Sequence, residues 1–110
     1  MANTFTRKLS RSIGTSATAV GSYTVGSSTE TTIIGLTLAN RTASEVLADV
    51  TLNDGANDTF MVKDAPIPAG SSLVVVGGDQ KVVLVTGDSI KVTSDTASSI
   101  DAIMSILEIT

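Results

Sequence analysis

A chain of 110 residues with 42% apolar content is long enough for one domain with a real core and too short for two. It has no cysteine and no histidine, which excludes disulfides, thiolate or imidazole metal sites and any imidazole general base. The net charge of −4 is unevenly spread: Arg7, Lys8 and Arg11 precede every acid, and residues 12–110 hold four basic against eleven acidic side chains, a net of −7.

Aromatic residues are scarce, namely Phe5, Tyr23 and Phe60, so Val, Ile, Leu and Ala must build the core. Thr and Val, both strand formers, are abundant, while Glu, Lys, Gln and Arg are few. Composition therefore points to an all-β chain. No run approaches the roughly 18 apolar residues of a membrane helix. The basic N-terminus lacks the apolar stretch of a secretory signal, so the expected place of synthesis is the cytoplasm, without secretion.

In chain order, residues 1–16 show no strong periodicity and read as an extended basic arm, flexible in the free monomer. A first strand is expected over Thr18–Val25, anchored by Val20 and Tyr23. Thr31–Ala39 is a strong strand, with Thr32, Ile34, Leu36 and Leu38 in phase and Gly35 marking a bulge or a close backbone approach. In Val46–Leu52 the residues Val46, Ala48, Val50 and Leu52 share one face and a largely polar set shares the other, as in a sheet wet on one side.

Asn53–Asp58 (NDGAND) reads as a hairpin connection, because Asp-Gly supplies positive φ at little cost. Thr59–Asp64 is the return strand, and Pro66 and Pro68 then predict an extended corner outside the ladder. Leu73–Val76 and Val82–Val85 are nearly all apolar, which predicts strands covered on both faces or capped by a neighbouring subunit, with Gly77-Gly78-Asp79 as the hairpin between them. Ser89–Thr93 alternates with Ile90 and Val92 inward. Ile100–Ile109 reads as a closing strand, the rival being a helix that would gather Ile100, Ile103, Met104 and Leu107. The sum is about eight strands at a spacing of eight to ten residues: a single antiparallel β-sandwich, jelly-roll or Ig-like, over residues 17–110, behind the arm of residues 1–16.

No constellation for catalysis emerges. Asn53, Asp54, Asn57 and Asp58 could offer oxygens to calcium, but their spacing is not that of an EF-hand and turns select the same residues for backbone reasons. Gly77–Lys81 lacks the length and the Gly-Lys-Ser/Thr of a phosphate-binding loop. Serines have no histidine partner, and no motif supports a Ser/Lys pair. The reading is of a protein that is not an enzyme and has no cofactor and no metal. Three cations without interleaved aromatics, before an acidic body, make a poor nucleic-acid footprint and a better match to an acidic protein surface, a sister copy included.

The run PIPAGSSLVVVGGDQKVVLVTGDSIKV (residues 66–92), preceded by VTLNDGANDTFMVKDA and closed by ILEIT, resembles small virion structural proteins of tailed bacteriophages, of the kind found in cyanophages and other aquatic phages. The resemblance covers roughly residues 20–110 and least of all the arm. It implies a non-enzymatic component of the virion: a capsid decoration or cement protein, or else a neck, tail or fibre-base part or a surface- or carbohydrate-binding module of the tail. Its partners would be other virion proteins and copies of itself, with no nucleic acid and no membrane. Valine-rich strands would aggregate as bare edges, which also favours a homo-oligomer. The residues expected to make protein contacts are Phe5, Arg7, Lys8, Leu9 and Arg11 of the arm and the tips at Asp54-Gly55 and Gly77-Gly78.

Overall fold

The computed structural model describes residues 2–77 and 79–110. The described residues form nine strands: β1 (Asn3–Ile13), β2 (Thr18–Ala19), β3 (Glu30–Asn40), β4 (Val46–Asn53), β5 (Asp58–Ile67), β6 (Ser72–Val76), β7 (Val82–Leu84), β8 (Ser89–Ser94) and β9 (Ile100–Ile109). A single 3-10 turn, Val20–Ser22, follows β2. Two antiparallel sheets stack face to face. The first has the order β1-β9-β3-β6, with β7 also on β3; the second has the order β2-β8-β4-β5.

Strands β6 and β7 are one interrupted strand rather than the hairpin expected from Gly77-Gly78-Asp79. Both lie antiparallel to β3, β6 along Leu36–Ala39 and β7 along Thr31–Ile33. β3 is eleven residues long, and two short strands placed end to end satisfy its edge where a hairpin would leave half of it bare. Counted as one, they make eight strands with the first paired to the last in each sheet. This is the wiring of a double-sheet jelly roll rather than of an Ig domain.

The core lies between the sheets and is aliphatic, as the shortage of aromatics requires. Ile33, Leu36 and Leu38 of β3, Ile67, Leu84, Ile90, Ile100, Met104 and Ile106 are fully buried. The ladder slips between Ile33 and Gly35, so β3 buries Thr31 and Ile33 before the slip and Leu36 and Leu38 after it. That is the bulge expected at Gly35. It also corrects the simple alternation, which had put Thr32 and Ile34 on the core face. β4 buries Val46, Ala48 and Val50, β8 buries Ile90 and Val92, and residues 100–109 are a strand with the even positions 100–106 inward.

Two further expectations change. β5 runs through Pro66, which pairs with Leu47, so the corner starts only at Pro68. β5 is an edge strand, where a residue without N–H costs no ladder bond on its open side. The segment expected as a free arm is extended but lies in the first sheet: Asn3–Ser10 pair in unbroken register with Ile109–Ala102 of β9. Its apolar residues Phe5 and Leu9 point outward, which is why no core-facing periodicity announces the strand.

Polar groups inside the sandwich are paired; among the described residues no buried side-chain N or O lacks a partner. Tyr23 carries a cluster that ties three strands together. Its hydroxyl donates to Glu108 Oε2 at 2.7 Å and lies 2.7 Å from Thr31 Oγ1, while Lys8 Nζ sits 4.9 Å from the ring centre. Burial pushes the phenol up, Glu108 adds to the rise, and the Thr31 bond pulls the other way. A raised folded-state value means the cluster's contribution is complete below the ordinary tyrosine range and is lost as the pH climbs through the folded value. Tyr23→Phe strands Thr31 and Glu108 and should cost about 1–3 kcal/mol in urea denaturation. An unchanged midpoint would show that the cluster contributes nothing to stability.

Candidate interaction surface

With the even residues of β9 committed to the core, its odd residues must face out, and pairing registers neighbours into rows across the sheet. One row reads Phe5, Leu107, Thr32, Val83; another reads Leu9, Ile103, Thr37, Val74. Between them runs Arg7, Ser105, Gly35. Phe5 is 74% exposed, Val74 63%, Val83 61% and Ile103 53%. The outer face of the first sheet is therefore two apolar rows separated by one arginine. A shallow open depression of about 370 Å³ lies between the rows, lined by Phe5, Thr6, Arg7, Ile34, Ser105 and Ile106. Of the two expectations for the valine-rich strands, cover on both faces within the chain is not met, and a face left for a neighbouring subunit stays open. Only Val76 and Leu84 are fully buried, and Val74, Val83 and Val85 are bare in this single chain.

The second sheet is different outside. Its β4–β5 hairpin carries Asp49, Asp54, Asp58 and Asp64 with Lys63, and Phe60 is 51% exposed there with Lys63 Nζ 4.9 Å from its ring centre. At the tip, Gly55 takes φ +97 and Asp54 N–H donates to Asn57 O at 3.1 Å. Asp54 Oδ1 accepts from the N–H groups of Ala56 (3.0 Å) and Asn57 (2.7 Å), Asn53 Oδ1 accepts from Gly55 N–H, and Asp58 Oδ1 accepts from Asn53 Nδ2. These side chains hold the turn itself. No group of three acidic residues among the described residues is placed to hold a metal ion.

The Asn57 and Ala56 amides hold the Asp54 carboxyl below its ordinary value. A depressed folded-state value means the turn is braced above the ordinary carboxylate range and loosens as the pH falls through the folded value. Amide resonances of Ala56 and Asn57 should titrate together at acid pH in NMR spectra, and an Asp54→Ala variant should show no such titration. Titration in that variant would trace the effect to another group.

The expected contact residues divide into three places. Phe5, Arg7, Leu9 and Arg11 lie on the outer side of β1, all exposed. Lys8 points the other way, half-buried on Tyr23. Asp54 and Gly55 cap the β4–β5 hairpin, in the other sheet from β1. Gly77 turns the chain between β6 and β7, where Gln80 N–H donates to its carbonyl at 3.2 Å, and Gly78 lies outside the described residues. Sequence reasoning did not single out Ile103, Val74, Val83 and Phe60 as contact residues, although the subunit-capped alternative for the valine-rich strands left room for the two valines. Their side of the sheet is fixed by register, and the exposed and buried residues of these strands are chemically alike.

No protein-family model matches the chain, and no curated protein matches it. Solved structures do. A protein of the Bacillus endospore appendages, described as a family of disulfide-linked pili, superposes at TM-score 0.54 with 14% identity over 100% of this chain and 91% of that one. At that identity the likeness is one of fold, and this chain has no cysteine with which to form such links. Two pentameric capsid proteins from metagenomic phage sequences align at TM-scores of 0.41 and 0.39, with 15% and 17% identity over 94% of this chain and 58% and 63% of theirs. At those scores they establish neither fold nor role.

Proposed function

We propose that this chain is a non-enzymatic structural subunit of a tailed-phage particle, a decoration or cement protein that lies on the head. The observation that supports this most is the outer face of the first sheet. Phe5, Leu9, Val74, Val83 and Ile103 gather on one side of a thin body of 45 × 28 × 21 Å. Their exposed surface is on the order of 500 Å², at the upper end of what a monomer leaves bare. Rows of apolar side chains framing one arginine suit a broad protein contact, and the depression between them is shallow and open. The jelly-roll sandwich is used in viral capsid domains, and the appendage likeness adds a second assembly-forming user of a similar fold; both are analogies of fold.

The test is co-sedimentation with head shells assembled from the major head protein of the same genome. The native chain is expected to pellet with the shells at a fixed stoichiometry. Ile103→Asp, a change at an exposed position, should keep the fold and lose binding by about tenfold or more, since a buried unpaired carboxylate costs several kcal/mol. A native chain that stays in the supernatant would overturn the reading.

A further inference from the structure

Of the sheet edges, one stands open. β2 has two residues, and β6 and β7 have five and three. β5 is long but carries Pro66, two register shifts and Asp64 at φ +51. These are the devices by which proteins protect an edge. β1 has none of them between Asn3 and Ser10. Ala2 and Thr110 exchange both backbone bonds at 3.0 Å. By alternation the N–H and C=O groups of Asn3, Phe5 and Arg7 therefore point away from β9, to a side where no strand lies among the described residues. Beyond Arg7 the Val20–Ser22 turn closes on the strand, with Gly21 against Lys8 and Leu9.

Charge is segregated in the same way. Among the described residues Arg7 and Arg11 form no ion pair, whereas Arg41 pairs with Asp101 and Lys63 with Asp64. Residues 45–67, the β4–β5 hairpin and its flanks, hold five acids and one lysine, a net of −4. β1 and β5 occupy opposite ends of the two sheet orders: β1 packs beside the Val20–Ser22 turn, and β5 lies beside β6. The chain's two phenylalanines are divided between these strands, Phe5 on β1 and Phe60 on β5, and both are exposed although aromatics are otherwise absent from the surface. Exposed aromatics beside complementary charge are what association anchors look like.

We propose that copies of this chain join head to tail, the basic open edge of β1 in one copy seating on the acidic β4–β5 hairpin of the next. Arg7 and Arg11 face Asp54 and Asp58, and Phe5 and Phe60 are the apolar anchors. Two different surfaces meet, so the contact repeats and closes into a ring or runs on as a row. It takes Phe5 and Arg7 at the β1 rim of the outer face and leaves Leu9, Ile103, Val74 and Val83 of that face free. In so far as this contact is the lateral joint of a coat, the inference rests on the decoration reading above.

Sedimentation equilibrium tests it with two charge reversals at exposed positions, Arg7→Glu with Arg11→Glu, and Asp54→Lys with Asp58→Lys. The native chain is expected to associate, and about tenfold more weakly when salt is raised enough to shorten screening from ~10 Å to ~3 Å. Each reversed chain alone should be monomeric, and an equimolar mixture of the two should associate, because each then offers the other a complementary edge. Recovery in the mixture also shows that both variants are folded. Association by the Asp54→Lys, Asp58→Lys chain at native strength would overturn the head-to-tail contact in favour of a β1–β1 pairing. A native chain that coats shells yet stays monomeric at millimolar concentration would also overturn it and leave the decoration reading standing. A chain that associates as described yet ignores shells would do the reverse.

Discussion

Leu36→Ala is expected to lower the unfolding free energy by about 3–4 kcal/mol, a large part of the 5–15 kcal/mol that holds a domain of this size together. Leu36 is fully buried at the middle of β3, between Val76 on β6 and Met104 on β9, both also buried. β3 itself is held by ladders on both sides, to β9 and to β6, and cannot readily close on the void, so a cavity term adds to the lost transfer energy. Urea denaturation followed by circular dichroism should show a lower midpoint at unchanged slope. Ile103→Ala, one register row away on the exposed side, should cost less than about 1 kcal/mol by the same method. The account fails at this point if the two losses are equal. The contrast separates the two sides of the sheet: one holds the fold and the other contributes little to it.

Gly21→Val is expected to detach β1 while sparing the rest of the sandwich. Gly21 has φ +63, and a Cβ there would stand 2.6 Å from Lys8 Cβ and 3.2 Å from Leu9 N. The left-handed backbone costs a side chain about 1–2 kcal/mol, and the clash adds about 1–3 kcal/mol. The strain acts between the Val20–Ser22 turn and β1. β1 has little to resist with, since Ile13 is its one fully buried side chain. Hydrogen exchange should show amides of residues 4–10 losing protection by about 100-fold, while those of β3, β4 and β8 keep theirs. Protection lost evenly over the whole chain would mean that β1 is integral to the core. Protection unchanged would mean that the turn yields instead. Tighter self-association of the variant would contradict the proposed role of the docked β1 edge.

Much of the core was legible because alternation is a local signal. Val46, Ala48 and Val50, or Ile90 and Val92, declare their inner face within one strand. The hairpin at Asp54-Gly55 was legible because the positive φ of Gly55 restricts the residue type, and the bulge at Gly35 because a glycine interrupts an otherwise alternating strand. What depended on partners several strands away was not legible. The division of β6 and β7 along β3, the passage of β5 through Pro66 and the placement of β1 on β9 are decisions about which edge is free, and no window of sequence contains that information. The outward rows escaped for the same reason: Ile103 resembles Ile106 until β1 and β3 fix which side of β9 each occupies. Phe5 and Leu9 made residues 1–16 look unstructured because their apolar side is turned away from the core.

Cryo-electron microscopy of head shells incubated with the native chain tests the central claim most directly. The account predicts repeated density for the 45 × 28 × 21 Å sandwich on the shell. The face carrying Val74, Val83 and Ile103 should point inward, and β1 of each copy should meet the β4–β5 hairpin of its neighbour. Bare shells with the chain left in solution, or chains resting on the acidic second sheet with the apolar rows turned to solvent, would contradict it.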